Sequence, residues 1–392
     1  MATSVEEKRL ANVVDALTSV PESFTLHPKI ARWLDTRTKL WASGQVDWAL
    51  GEALAYGSLV LDGRDVRLCG QDTRRGTFGH RNSVYVDYRS GAEYVPLAEM
   101  ATEQEGAGHF FVYDSLLSEY AATAFEYGYS LLAPGALVAW EAQFGDFANG
   151  AQVVIDQFLV AAEAKWDQRS GLVLLLPHGY EGQGAEHSSG RLERFLSMCA
   201  EDNICVANVT TAGQLFHLLR RQVYQGEVKP LVLFTPKRYL RAREAYSPVL
   251  ELTEGGFEEV LDDPDLKEAD KQATRRLVLA TGKVALDLLV ERRERKLEGV
   301  AVVRGEQLYP WPEERLSGVL HHYPSAEVVW AQEEPANMGA ASFVAPRLAE
   351  LAGGRPPSVV ARLASGSPAT GSHAIHELEQ SDILERALGL SS

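Results

Sequence analysis

The chain has 392 residues, 45% of them hydrophobic and 23% charged, with a formal net charge of −16 at pH 7. That length suffices for two ordinary domains, and the acidic balance argues against nucleic acid or an anionic membrane surface as a partner. No apolar run reaches the roughly 18 residues of a membrane span, and the N-terminus MATSVEEKRL has no signal-peptide core. Cys69, Cys199 and Cys205 form no C-x-x-C pair. Neither a disulfide framework nor a zinc site is indicated, and a reducing cytoplasm is the expected location.

Residues 1–45 read as a helical connector. Leu10, Val13, Val14, Leu17 and Val20 recur at helical spacing, PESFTLHPK interrupts with two prolines, and a second amphipathic stretch runs from Ile30 to Trp41. Between 46 and 240 the pattern alternates. VDWALGEALAYGSLVL is a helix and VRLCG a strand; YDSLLSEYAATAFEYGYSLL is a helix and ALVAWEAQF a strand. DFANGAQVVIDQFLVAAEA, LVLLLP, RLERFLSMCAEDN, ICVANV, TAGQLFHLLRRQVYQ and KPLVLFTP continue helix and strand in turn. Continuous apolar strands between helices predict an α/β fold whose parallel sheet is covered on both faces, with right-handed crossovers.

Residues 241–274 are charged and irregular and read as a linker. From 275 to 392 the alternation resumes in RLVLATG, VALDLLVERRER, GVAVVRG, ERLSGVLHHY and EVVWAQEE, which predicts a second, smaller α/β domain.

Four stretches carry chemistry. Leu175–Arg194 runs from an apolar strand through three glycines and bears His178, Glu181, Glu186 and His187 before a helical pattern opens after Ser188 and Ser189. Polar groups at the end of a parallel strand suit a ligand site, and two acid–histidine pairs point to proton transfer on an acidic substrate. Glu119 lies in the first turn of a helix that Ser115 is expected to cap, amid apolar residues; on spacing alone a helix-dipole role is the favoured reading over a functional one. Residues 73–83, TRRGTFGHRNS, place Arg74, Arg75 and Arg81 around glycines. They suit either an anion grip or a solvated hairpin. Phe144 and Phe147 flank Gly145-Asp146 where a strand gives way to a helix, a place for a ring to stack or simply for core packing. H-E-x-x-H, G-x-S-x-G and the P-loop are absent.

Taken together, Gly70–Phe78, Leu117–Tyr129, Trp140–Phe158 and Leu175–Ser189 resemble the decarboxylase component of 2-oxoglutarate dehydrogenase, a thiamine diphosphate enzyme. Gly305–Pro312 and Gln332–Ala340 extend the likeness. The resemblance covers the family's C-terminal half: a pyrimidine-binding domain, then a transketolase-like C-terminal domain. It implies oxidative decarboxylation of 2-oxoglutarate, a step of the tricarboxylic acid cycle, with succinyl transfer to a lipoyl-bearing succinyltransferase. The diphosphate and Mg²⁺ would be held by a further domain carrying a G-D-G…N motif, across a homodimer or heterodimer interface.

By this likeness Glu119 hydrogen-bonds a ring nitrogen of the cofactor's aminopyrimidine and favours its imino tautomer. Phe144 stacks on that ring, with Phe147 second, and Leu117 lines the pocket through its backbone. His187 meets the 2-oxo acid, and His178, Glu181 and Gln183 build the loop around it. Asn82 stands where many relatives carry histidine. Glu313 and Glu314 stand where actinobacterial relatives use basic residues to hold an acetyl-CoA effector, which implies that this activation is lost. A non-catalytic scaffold of the same fold is the alternative. A pyruvate dehydrogenase or transketolase is disfavoured by the HGYEGQGAEHSS loop.

Overall fold

The computed structural model describes residues 1–390. Its first unit starts with α1 (Glu7–Thr18), which lies on α3 (Trp48–Leu61), and α2 (Pro28–Ala42), which packs against α1. Leu10, Val13, Val14 and Leu17 of α1 are buried, as their spacing predicts. Helix α3 is apolar on nearly every side and wholly buried. Its Asp47 cap accepts from the Leu50 N–H at 2.8 Å. Gly57 allows this depth of packing, since a Cβ there would lie 2.4 Å from Val13 Cγ1.

Six parallel strands follow: β1 (Val66–Gly70), β2 (Phe110–Asp114), β3 (Leu137–Glu141), β4 (Val173–Pro177), β5 (Cys205–Asn208) and β6 (Leu231–Thr235). Between them run α4 (Glu119–Leu132) and α5 (Ala212–Tyr224). The second unit supplies β7 (Val260–Leu261), β8 (Arg276–Ala280), β9 (Val300–Gly305), β10 (Gln307–Tyr309), β11 (Glu327–Pro335) and β12 (Ser358–Arg362). Its helices are α6 (Gly282–Glu294), α7 (Glu313–His322), α8 (Ala341–Leu351) and α9 (His373–Leu388). The two sheets order as β10-β5-β6-β4-β3-β1-β2 and β7-β9-β8-β11-β12. No helix among the described residues is long and apolar enough to cross a membrane.

Strand β10 leaves the second unit and pairs antiparallel with β5 of the first. One apolar core runs across the junction through Val206, Phe234, Leu308, Trp330 and Phe343. The stretch 241–274, read as a linker, is built structure. Ser247–Pro248 pairs with Gln45–Val46, β7 pairs with β9, and Arg292 of α6 grips Asp263 and Asp265.

The sequence reading also needs four local corrections. Tyr113 and Asp114 finish β2 rather than opening a helix. Ser118, not Ser115, caps α4, taking the Ala121 N–H at 3.2 Å. The helix expected over DFANGAQVVIDQFLVAAEA is broken into a 3-10 turn (Gly145–Ala151) and short irregular pieces up to Trp166. Ser188 and Ser189 cap nothing. Their N–H groups point to Asp146 Oδ1 at 3.4 and 3.2 Å, and the next helix is only Leu192–Ser197.

Candidate active site

Parallel strands deliver their C-terminal ends to one edge, which is where open α/β sheets bind ligands. Here β1 delivers Gln71, β2 leads to Glu119, β3 leads to Phe144, β4 leads to His178, and β6 leads to Lys237. The edge is thus assembled from segments far apart in sequence.

Glu119 is the first residue of α4 and half-buried. Its Oε1 accepts from Gln71 Nε2 at 2.8 Å. Its Oε2 faces Gly150, where an added Cβ would sit 3.2 Å away. A side chain at 150 would therefore press on the carboxylate. Gly150 belongs to the Gly145–Ala151 turn, and that turn also carries Phe147. The Phe144 ring lies 5.7 Å from Phe147, 5.7 Å from Phe78 and 4.3 Å from His187, and Phe147 lies 6.0 Å from His187. One turn therefore touches Glu119 on one side and His187 on the other. Leu117 is 88% exposed, two residues before Glu119. Leu116, Tyr120, Phe125, Leu132 and Phe158 are further large apolar residues exposed on or near α4.

The loop after β4 is pinned from two sides. Lys237, buried at the end of β6, donates to the His187 carbonyl and to Gln183 Oε1 at 3.2 Å. Burial pulls its pKa down against the charges of Glu181, Glu333 and Asp146. Glu181 Oε1 takes the Arg238 N–H at 2.8 Å, and burial pushes this carboxyl up. Asp146 is pushed up by burial as well, and its Oδ2 has no partner. His178 points inward, to Glu334 at 2.9 Å, rather than toward the aromatic cluster. Among the described residues no three His, Cys, Asp or Glu side chains are grouped to hold a metal ion.

The arginines of 73–83 each pair with a carboxylate of this chain, two at the surface and one inside the fold. Arg74 pairs with Glu93 at 2.5 Å, and Arg75 pairs with Asp72. Arg81 is buried, with Nε 2.5 Å from Glu52, both Nη atoms 2.7 Å from Glu141, and Nη1 2.9 Å from the Thr73 carbonyl. It fastens the loop to α3 and to the end of β3 and is not itself free to grip an anion. His80 beside it is buried with Nδ1 unpartnered, and burial followed by the Arg81 charge drives its pKa well down. Asn82 takes a left-handed backbone, φ 46°, which asparagine tolerates better than most residues.

Sequence reading missed Gln71, Gly150 and Lys237. A lysine directly after the apolar strand LVLFTP was a readable signal. The roles of Gln71 and Gly150 show only once Glu119 is placed beside them.

The pyrimidine-binding domain of transketolase matches residues 44–243, and the 2-oxoglutarate dehydrogenase C-terminal domain matches residues 246–388. The chain belongs to the transketolase pyrimidine-binding family. It is 45% identical over 395 residues to the multifunctional 2-oxoglutarate metabolism enzymes of Mycobacterium sp. strains JLS, KMS and MCS. Each alignment covers 99% of this chain and 31% of the relative, so the chain spans about a third of their length. The resemblance read from sequence is borne out in both units.

Proposed function

We propose that this chain is the aminopyrimidine-binding and C-terminal part of a thiamine diphosphate-dependent 2-oxoglutarate dehydrogenase. In this reading it takes part in decarboxylating 2-oxoglutarate and passing the succinyl group to a lipoyl-bearing succinyltransferase. The observation that carries the reading is Glu119, half-buried at a helix start, with Oε1 bonded to Gln71 and Oε2 facing Gly150. The cofactor, when bound, supplies a nucleophilic carbon and an electron sink. Glu119, Phe144, Phe147 and the Leu117 backbone would hold its aminopyrimidine, the carboxylate toward a ring nitrogen and the phenyl rings against the flat face. His187 donates to the oxo oxygen of the substrate as negative charge develops there. Glu181, Gln183 and His178 hold the loop.

A second domain, from another chain or another segment, supplies the diphosphate and Mg²⁺ site. It docks over exposed apolar residues on and just before α4, such as Leu116, Leu117, Phe125 and Leu132, in a homodimer or heterodimer in the cytoplasm. The scaffold alternative leaves the geometry at Glu119 unexplained.

The test is carbon dioxide release from 2-oxoglutarate with thiamine diphosphate, Mg²⁺ and an artificial electron acceptor, the diphosphate-binding domain being present. Glu119→Ala should lower turnover by about 10²–10³-fold, in the range of losses from removing one catalytic proton-transfer or hydrogen-bonding group. Turnover unaffected by that substitution would refute the reading. Cofactor binding without turnover, whatever the partner, would favour the scaffold.

A further inference from the structure

The ring of His178 sits where the first unit meets the second. It is 6% exposed, with Phe234 at 5.5 Å and Tyr180 at 6.0 Å. Nε2 lies 2.9 Å from Glu334 Oε1, and the Gly190 N–H donates to Nδ1 at 3.0 Å. A carboxylate only accepts and a backbone N–H only donates. The neutral ring with its proton on Nε2 therefore satisfies both partners. A second proton, on Nδ1, would face the Gly190 N–H and break that bond.

The bond closes the loop that contains His187. Gly179 N–H to the Ser188 carbonyl, 2.9 Å, closes it a second time. Gly190 has little room to adjust: a Cβ there would lie 2.8 Å from Phe234 Cε1. The second unit holds the same loop at other points. Glu333 Oε1 takes the Tyr180 N–H at 3.1 Å, the Arg362 guanidinium lies 4.9 Å from the Tyr180 ring, and Gly182 abuts His373 of α9.

We propose that His178 is a positioning residue whose neutral ring ties Gly190 to Glu334 of the second unit, and that its protonation unties the loop bearing His187. The functional half of this inference rests on His187 meeting the substrate. The charged groups around the ring are Glu333 and Glu334 of β11, Lys237 after β6 and Asp146 in the turn. Lys283 of α6 and Arg362 of β12 stand behind the glutamates. Burial disfavours a charged ring, but the Glu334 hydrogen bond and charge, with Glu333, outweigh burial and Lys237 and hold the His178 pKa above the ordinary 6.5. The tie is therefore complete at high pH and is lost as pH falls through a value above 6.5.

Three variants separate the parts. His178→Asn offers an acceptor near the place of Nδ1, cannot reach Glu334 and cannot titrate. His178→Gln reaches Glu334 and leaves the Gly190 N–H without an acceptor. Glu334→Gln keeps an acceptor and removes the charge. Hydrogen exchange of the segment 178–190, corrected for intrinsic rates, is followed in this chain from about pH 5 to 9, spanning the ordinary histidine range on both sides.

Wild-type protection should fall toward acid. Glu334→Gln should move the midpoint down by about one pH unit, a tenfold loss of proton affinity. His178→Asn should be protected and flat with pH, and His178→Gln unprotected throughout. In the complete enzyme the acid limb of the rate profile should move with Glu334→Gln. Wild-type exchange that ignores pH, or a midpoint that Glu334→Gln leaves in place, overturns the proposal. If His178→Asn does not fold, the Glu334→Gln midpoint decides alone. The exchange arm needs no cofactor, so its failure is separate from a failure of the Glu119 test.

Discussion

Arg81→Leu should destabilise the first unit severely. The guanidinium is 3% exposed and lies between Glu52 and Glu141, themselves 2% and 5% exposed. Its Nε and both Nη atoms all bond to these carboxylates, and Nη1 also bonds to Thr73. The cluster already holds two anions against one cation. Arg37 faces Glu52 through space only and offsets part of that excess. Leucine would leave two carboxylates buried side by side, and removing one partner of such a cluster costs about 3–5 kcal/mol. For a unit of roughly 200 residues each kcal/mol lowers the melting temperature by about 2–4 °C, so the drop should be roughly 6–20 °C.

The assay is thermal unfolding of the chain at pH 7, followed by circular dichroism. Two signatures distinguish a buried-charge cost from simple loss of packing. The loss should shrink as pH falls, because the stranded carboxylates take up protons. Adding Glu141→Gln to the Arg81→Leu chain should recover part of it. A loss under about 1 kcal/mol, or one indifferent to both pH and Glu141→Gln, would refute the reasoning.

Three further outcomes follow from the site and the junction. Gly150→Ala places a methyl 3.2 Å from Glu119 Oε2 in an exposed turn. It should change stability by less than about 0.5 kcal/mol, as expected at an exposed position. In the assembled enzyme it should weaken thiamine diphosphate roughly tenfold, since small displacements at such groups are costly. Equal affinity in a cofactor titration counts against the placement of Glu119. Glu306, fully buried between β9 and β10, is pushed by burial from 4.5 to about 7 despite Arg304 and Thr210. Folding then holds its proton between those values, so stability should fall by roughly 3 kcal/mol as pH rises through that window and hold steady below it. Glu306→Gln should flatten the slope in urea titrations at pH 4.5, 6 and 7.5, near and between the two values. Finally, Glu259, Glu313 and Glu314 line the hollow beside Trp311 together with Arg315, three carboxylates to one cation. Acetyl-CoA should not activate the reconstituted enzyme, and saturable activation in a titration would show that the carboxylates do not exclude it.

Much of the architecture was legible because it depends on near neighbours. Apolar runs such as LVLLLP and LVLFTP are buried on both faces, which only a covered parallel strand allows. The helical spacing of Leu10, Val13, Val14 and Leu17 likewise named a buried stripe. Phe144, Phe147 and His187 were singled out by their place after strand ends and by the family resemblance, and the structure brings those three rings together.

The remainder was decided by partners distant in the chain. Whether Arg81 grips a ligand or a carboxylate turns on Glu52 and Glu141, 29 and 60 residues away. Whether Ser115 or Ser118 caps α4 turns on where β2 stops, and that is set by its pairing with β1. His178 and His187 stand in one loop with the same local signals. Only the docking of β11 turns the first inward to Glu334, while Phe144 receives the second. Sequence periodicity reports which face of an element is apolar. It carries no record of which charge will lie opposite, because a hydrogen bond 2.9 Å long is fixed by the whole path of the chain between its ends.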